Sequence, residues 1–138
     1  MRTLAIDHGT HRMGIALSDE LNMLAQPLEF IPAEPFAAFL ARLQQILREK
    51  EVGQIIVGMP RNMDGSYGPA ALKVQEFVAV LRDAVTVPIK TLDERLTTVQ
   101  AHRMLSQAEV KGRDRRQKVD KSSAAILLQT YLDSQPSP

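Results

Sequence analysis

Three acidic residues stand where the chain is predicted to leave a strand or enter a helix. Asp7 follows the apolar run 4–6, Glu94 follows a run that ends at Leu92, and Asp120 lies four residues before the apolar stripe of the last helix. Ligands collect at the carboxyl ends of strands in α/β sheets, and a buried carboxylate there is costly unless a cation meets it. Carboxylate oxygens are the ligands that Mg²⁺ and Mn²⁺ prefer. The pattern therefore predicts an oxygen-ligand site for one or two such ions.

Each of these acidic positions also has a purely structural alternative. Asp7 could start a hairpin by accepting hydrogen bonds from nearby backbone amides. Asp93 or Thr97 could cap the helix that follows their strand, and Asp120 could cap the last helix. In isolation, none of the three acids distinguishes a metal ligand from a cap.

The adjacent acids Asp93 and Glu94 compete for the same role. Strand alternation puts Asp93 on the face of Thr91 and Glu94 on the face of Leu92, so at most one points directly at a shared site. We favour Glu94, whose longer side chain has more reach, and keep Asp93 as the alternate metal ligand.

The positive charge is concentrated in residues 111–121. This basic segment holds six basic and two acidic residues, a net charge of +4 in a chain whose total is +1. The basic residues that precede Asp120 in this segment would hold a phosphodiester over the predicted ion site. Metal-dependent phosphodiester cleavage is the chemistry that this combination implies. We expect a mobile loop that orders on nucleic acid, the alternative being a solvated linker.

The predicted elements explain how the acids would meet. Strands are predicted at 4–7, 13–18 and 26–31, a helix from Pro35 to about Glu51, a strand at 54–58, a loop at 59–68, a helix with its stripe at 74–85, a strand at 87–92, a helix carrying 101–108 and a last helix carrying 124–131. Helical crossovers make the later strands parallel. We predict one mixed five-stranded α/β sheet, with the first strand central and helices on both faces.

Composition limits the remaining classes of protein. The 138 residues suit one domain, 1–138, with a frayed tail at about 134–138. The absence of cysteine excludes thiolate metal sites, and the apolar runs are too short to span a membrane, so we expect a cytoplasmic protein without a membrane partner. A zinc site at His8, His11 and His102 is less favoured than surface histidines. With only four Phe and two Tyr, several in predicted buried stripes, we expect no base-stacking platform.

Four motifs follow one another along the chain. They are Asp7-His8-Gly9-Thr10 with Gly14-Ile15-Ala16, then residues 58–65, then residues 93–98, and finally Lys118-Val119-Asp120 followed by Ala124-Ala125. In this order they resemble the YqgF/RuvX family over almost the whole chain. The resemblance implies a ribonuclease H-like fold and a nuclease of Holliday junctions or of the 5′ end of precursor 16S ribosomal RNA.

The resemblance also implies roles for individual residues. Asp7, Glu94 and Asp120 would be the catalytic, metal-binding acids, with Mg²⁺ or Mn²⁺ as cofactor. Precursor rRNA or branched DNA would be the partner. The sequence does not distinguish a monomer from a homodimer. We expect nucleic-acid contacts from Arg61, Asn62, Arg95, Thr97, Lys111, Arg113, Arg115, Arg116, Lys118 and Lys121.

Two other functions compete, and one feature departs from the ribonuclease H pattern. The hairpin also looks like the phosphate-binding hairpin of the actin, hexokinase and Hsp70 class, but those proteins need two such lobes, and this chain has the length of one. A non-catalytic RNA-binding module in ribosome assembly is the third possibility.

The strand at 54–58 ends without an acid, so the second carboxylate must come from Glu94 or from Asp64 in the loop.

Overall fold

The computed structural model describes residues 1–96 and 122–135. Within them the chain forms five strands and three helices whose bounds are described in full: β1 (Arg2–Asp7), β2 (Arg12–Ser18), β3 (Ala25–Pro32), α1 (Phe36–Glu49), β4 (Val52–Met59), α2 (Pro69–Ala84), β5 (Ile89–Asp93) and α3 (Ser123–Ser134). Residues 94–96, directly after β5, are also helical. The predicted helix at 101–108 and the basic segment 111–121 lie outside the described residues.

The five strands form one mixed sheet in the order β3-β2-β1-β4-β5. β1 pairs with β2, and β2 with β3, in antiparallel hairpins. β1 pairs with β4, and β4 with β5, in parallel, because α1 and α2 carry the chain back to the same end of the sheet each time. The predicted mixed sheet with a central first strand is confirmed.

Alternating residues of the sheet face two separate cores. Leu4 and Ile6 of β1 belong to the larger core, which packs against α1 and α2. Ala5, between them, belongs to the smaller core, which packs against Ala124 and Leu128 of α3. Both faces are therefore covered by helices, as predicted. The small residues facing α3 let that helix approach the sheet closely.

Several predicted boundaries differ from those observed. Pro35 is the residue before α1 rather than part of its first turn, and β5 begins at Ile89, two residues later than expected. The N-cap residue of α3 is Ser122, whose Oγ accepts the backbone N–H of Ala125 at 3.0 Å. Asp120, the alternative cap, lies outside the described residues. No described helix has the length and apolarity needed to cross a membrane.

Candidate active site

Asp7 is the last residue of the central strand. The residues before it, Leu4 to Ile6, are fully buried, so the strand delivers a half-buried carboxylate to the edge of the sheet. The chain then turns at once into β2, and a Cβ at Gly9 would overlap the carbonyl oxygen of Arg12, so this turn requires glycine. Asp7 is thereby held opposite Gly14 of β2.

Glu94 follows β5 and lies at the same end of the sheet, because β1, β4 and β5 are parallel. Its side chain occupies the space above Gly58 of β4, where an added Cβ would come within 2.6 Å of Glu94 Oε1. Asp7 and Glu94 then line one cavity of about 140 Å³ together with Ser123 and Leu127 of α3. The structure thus brings two of the three predicted acids together.

The electrostatics of this pair favour a cation. Burial raises the pKa of Asp7, while the neighbouring His8 opposes the rise. Burial also raises the pKa of Glu94, and the negative charges of Asp7 and Asp93 add to the increase. Two half-buried carboxylates that repel each other are stabilised by a divalent ion between them.

Asp93 has a different environment from Glu94. Its Oδ1 accepts the backbone N–H of Arg95 at 2.9 Å, a helix-capping contact, and its Oδ2 meets the Arg95 guanidinium at 2.7 Å. Arg61 approaches the same carboxylate at 3.5 Å. The Arg95 hydrogen bond lowers the pKa of Asp93. Asp93 therefore caps the helical residues that follow β5, which was one of its two predicted roles. It lies beside Arg61 and Arg95 and does not line the cavity of Asp7 and Glu94.

The loop between β4 and α2 is held by its own side chains. Arg61 donates to the carbonyl of Gly65 and lies over the ring of Tyr67, with 4.6 Å between the guanidinium carbon and the ring centroid. Asn62 donates to Ser66 Oγ at 3.0 Å, and Asp64 accepts from Ser66 and is exposed. Asp64, the alternative second acid, does not line the cavity of Asp7 and Glu94.

Two larger clefts also meet at Asp7. One, of about 360 Å³, extends over His8 and Thr10 to Lys73 of α2 and to Glu94. The other, of about 500 Å³, extends from Asp7 over Gly14 to Phe30 and to the first turn of α3. Asp7 is therefore reached from both sides, which suits a long, extended substrate more than a small enclosed one.

Sequence reasoning missed several residues that line these clefts. His8 was expected at the surface but is half-buried, with its ring 5.0 Å from that of Phe77, and burial lowers its pKa. Lys73 lies on the polar side of α2, where lysine is common, so its sequence position did not indicate that it lines a cleft. Ser123 could have been found as the residue that opens α3 beside the buried stripe.

Two of the three predicted metal-binding acids lie within the described residues. In residues 1–96 and 122–135, no group of three or more His, Asp or Glu side chains is placed to hold a metal ion. Asp7 and Glu94 supply two carboxylates to one cavity, and the third predicted acid, Asp120, lies outside the described residues. So do Thr97, Lys111, Arg113, Arg115, Arg116, Lys118 and Lys121. Among the predicted nucleic-acid-binding residues, the described part of the chain includes Arg61, Asn62 and Arg95. All three lie at the loop between β4 and α2.

The mixed sheet, with an acid at the end of its central strand, is that of the ribonuclease H-like fold. RuvC of T. thermophilus in complex with a Holliday junction substrate is similar in structure, with a TM-score of 0.60 over 94% of this chain and 91% of that one, at 14% identity. The fowlpox virus resolvase bound to Holliday junction DNA has a TM-score of 0.51, covering 97% and 98% of the two chains, at 10% identity. Both likenesses confirm the predicted fold.

Sequence comparison gives the family. Residues 1–134 match the family model described as "RuvX: Holliday junction resolvase", and this chain belongs to that family. A Roseiflexus sp. (strain RS-1) protein named "Putative pre-16S rRNA nuclease" is 45% identical over 134 residues, covering 97% of this chain and 95% of that protein. A Geobacillus kaustophilus protein of the same name is 46% identical over 136 residues, covering 97% and 99%. The predicted family and nuclease class are thus confirmed.

Proposed function

We propose that this nuclease is a divalent-metal-dependent endonuclease that trims the 5′ end of precursor 16S ribosomal RNA in the cytoplasm. Residues 1–138 would form its single domain. The observation that carries the proposal is the convergence of Asp7 and Glu94, from the ends of separate parallel strands, on one cavity. Burial raises the pKa of both carboxyls, so the charged pair is costly to hold there and a bound cation would offset that cost.

The residues suit Mg²⁺ or Mn²⁺, because all the ligands are carboxylate oxygens. Asp7 and Glu94 would hold the ion, and Asp120 would be the third acid, since it precedes the cap residue Ser122 by only two positions. A divalent ion bound there would neutralise charge on the phosphate and acidify a bound water. Lys73 at the rim of the adjoining cleft would attract the phosphate backbone.

The ribosomal substrate is favoured by the closer relatives. Proteins 40% to 46% identical to this chain carry the pre-16S rRNA nuclease name, whereas the junction-bound resolvases are 14% and 10% identical and share the fold alone. The family description itself keeps Holliday junction resolution as the second candidate.

A side-by-side cleavage assay separates these functions. Precursor 16S rRNA fragments and four-way junction DNA are incubated with the full chain, with and without Mn²⁺. We expect Mn²⁺-dependent cleavage of the RNA, lost in Asp7→Asn and Glu94→Gln and kept in Glu76→Gln, whose side chain is exposed on α2. Cleavage of the junction alone would favour the second candidate. RNA binding without any cleavage would favour the non-catalytic module.

A further inference from the structure

Phe30 is an exposed aromatic residue beside the candidate active site. It lies on β3, where a base-stacking platform was not expected, and 51% of its surface is accessible. Its neighbours on the strand face the other side of the sheet: Ile31 is buried in the larger core, and Glu29 pairs with Arg42 of α1. Phe30 therefore lies on the α3 side, the side of the smaller core.

The sheet register aligns Phe30 with Asp7. Phe30 is opposite Gly14, and Gly14 is opposite Asp7, so the three residues form one row across β3, β2 and β1. Neighbouring strands are about 4.8 Å apart, so the Cα atoms of Phe30 and Asp7 are separated by roughly 10 Å. One nucleotide bridges that span from its phosphate to its base.

Gly14 has no side chain and therefore leaves the space between Phe30 and Asp7 open. An added Cβ at Gly14 would lie 3.4 Å from Phe30 Cε1 and 3.5 Å from Asp7 Cβ, so any side chain there would fill the space that joins the ring to the carboxylate. The result is the cleft of about 500 Å³ that has Asp7 at one end and Phe30 at the other. This is the size of a site for one small organic group.

The charge of this cleft suits a nucleotide. The Arg12 guanidinium carbon lies 4.1 Å from the centroid of the Phe30 ring, on the same face of the sheet, and Arg12 is exposed. An arginine stacked on an exposed aromatic ring places a cation for a phosphate beside a ring on which a base can stack.

Resting on the proposed function, we infer that Phe30 and Arg12 bind an unpaired nucleotide next to the scissile phosphate. The ring stacks on its base and the guanidinium contacts its phosphate. A paired base cannot reach the ring, since it is stacked within its helix, so this contact selects single-stranded segments. Phe30 is thus a positioning residue and a determinant of strand specificity.

Binding assays without divalent ions test this contact, because they need no cleavage. A single-stranded RNA oligonucleotide and a duplex of the same sequence are titrated with the full-length wild type and three variants: Phe30→Ala, Phe30→Tyr, and the control Leu21→Ala. Leu21 is also exposed, but in the turn at the far end of the β2–β3 hairpin. We expect Phe30→Ala to bind the single strand about tenfold more weakly and the duplex as well as wild type does. Phe30→Tyr and Leu21→Ala should bind both as wild type does.

Fluorescence reports the stacking directly. With 2-aminopurine placed at successive positions of the oligonucleotide, wild type and Phe30→Tyr should quench the probe at one position, and Phe30→Ala should not. Unchanged single-strand binding by Phe30→Ala, an equal loss for duplex, or a Phe30→Tyr variant that behaves like Phe30→Ala would overturn the inference. If Asp7→Asn still cleaved RNA, the proposed function would fail while these binding results kept their meaning.

Discussion

The carboxylate of Glu94 lies directly over Gly58, in the space that any other residue at position 58 would fill with its Cβ. Gly58→Ala should therefore displace Glu94 from the cavity that it shares with Asp7. A shift of about 1 Å in a catalytic group lowers activity by about 100-fold, so we expect a loss of that order in the cleavage rate. The measurement is the single-turnover rate with saturating Mn²⁺.

The control for this substitution is Gly53→Ala, at the opposite end of the same strand. Its added Cβ would meet Met1, 2.8 Å away, which is an exposed terminal residue far from Asp7. Both variants carry one extra methyl group on β4, but Gly53→Ala should keep the wild-type rate. Equal rates for the two variants would show that the position of Glu94 does not matter for cleavage.

Divalent ions should stabilise the native state through Asp7. The ion binds the assembled pair of carboxylates and not the unfolded chain, so at about 100 times its Kd it should add about 3 kcal/mol to the free energy of unfolding. Thermal unfolding with and without Mn²⁺ measures this as a rise in Tm. In Asp7→Asn the rise should disappear, while RNA binding is kept or strengthened because a negative charge facing the phosphate is gone. An equal rise in both proteins would place the ion elsewhere.

Ser122 should matter for stability as the cap of α3. Ser122→Ala removes the acceptor for the Ala125 N–H and should cost about 1 kcal/mol, whereas Ser122→Asn, which keeps an acceptor, should cost less. Urea denaturation gives both values. Ser134→Ala, at the exposed end of the same helix, is the control. If Asp120→Ala were as destabilising as Ser122→Ala, the cap would be shared between the two residues.

The ion pair of Glu29 and Arg42 joins β3 to α1 and predicts a pH dependence of stability. Arg42 donates to both carboxylate oxygens, at 2.6 and 2.9 Å, and these bonds lower the pKa of Glu29 below its usual 4.5. A carboxyl whose pKa is lowered on folding stabilises the protein above its unfolded pKa, and this stabilisation is lost as the pH falls through the folded value.

Glu29→Gln should therefore lower the free energy of unfolding near neutral pH and have no effect well below pH 4.5. The effect should be small, because both side chains are partly exposed. Urea midpoints at several pH values measure it, with Glu76→Gln as the control. A difference between Glu29→Gln and wild type that does not change with pH would mean that the carboxylate acts through packing and not through its charge.

The basic segment 111–121 remains a prediction from sequence. Replacing Arg115 and Arg116 with Ala should weaken binding of all RNA sequences alike. It should also reduce the slope of log Kd against log salt concentration by about 0.7 for each lost contact with a single strand. Fluorescence anisotropy over a range of salt concentrations provides the slope. An unchanged slope would mean that these arginines do not touch the phosphate backbone.

The fold was predictable because apolar residues recur with different spacing in its strands and in its helices. The buried run 55–57 lacks polar alternation, as expected of a strand covered on both faces, and Phe39, Leu43 and Ile46 recur at helical spacing in α1. The different environments of Asp93 and Glu94 do not follow from strand alternation, because β5 ends at Asp93 and Glu94 is already helical.

Other parts of the site depend on tertiary contacts, which local sequence patterns do not indicate. Ser122 was overlooked as the cap because Asp120 is an equally good capping residue by type. Phe30 is exposed although it lies on the face of the sheet that packs against α3, and no pattern within β3 indicates this exposure. The Gly58 contact with Glu94 joins residues of two strands and appears only when their register is known.

The position of α3 has a consequence for the order of events during synthesis. Gln129 of this helix bonds the backbone of Met23 and Ala25, more than 100 residues earlier, and Ser123 forms part of the wall beside Asp7. The first three strands leave the ribosome long before the helix that completes their cleft. Contacts so distant in sequence slow folding, and chains fold from the amino terminus as they emerge. Nascent chains should therefore gain the ability to cut RNA only after α3 has emerged from the ribosome.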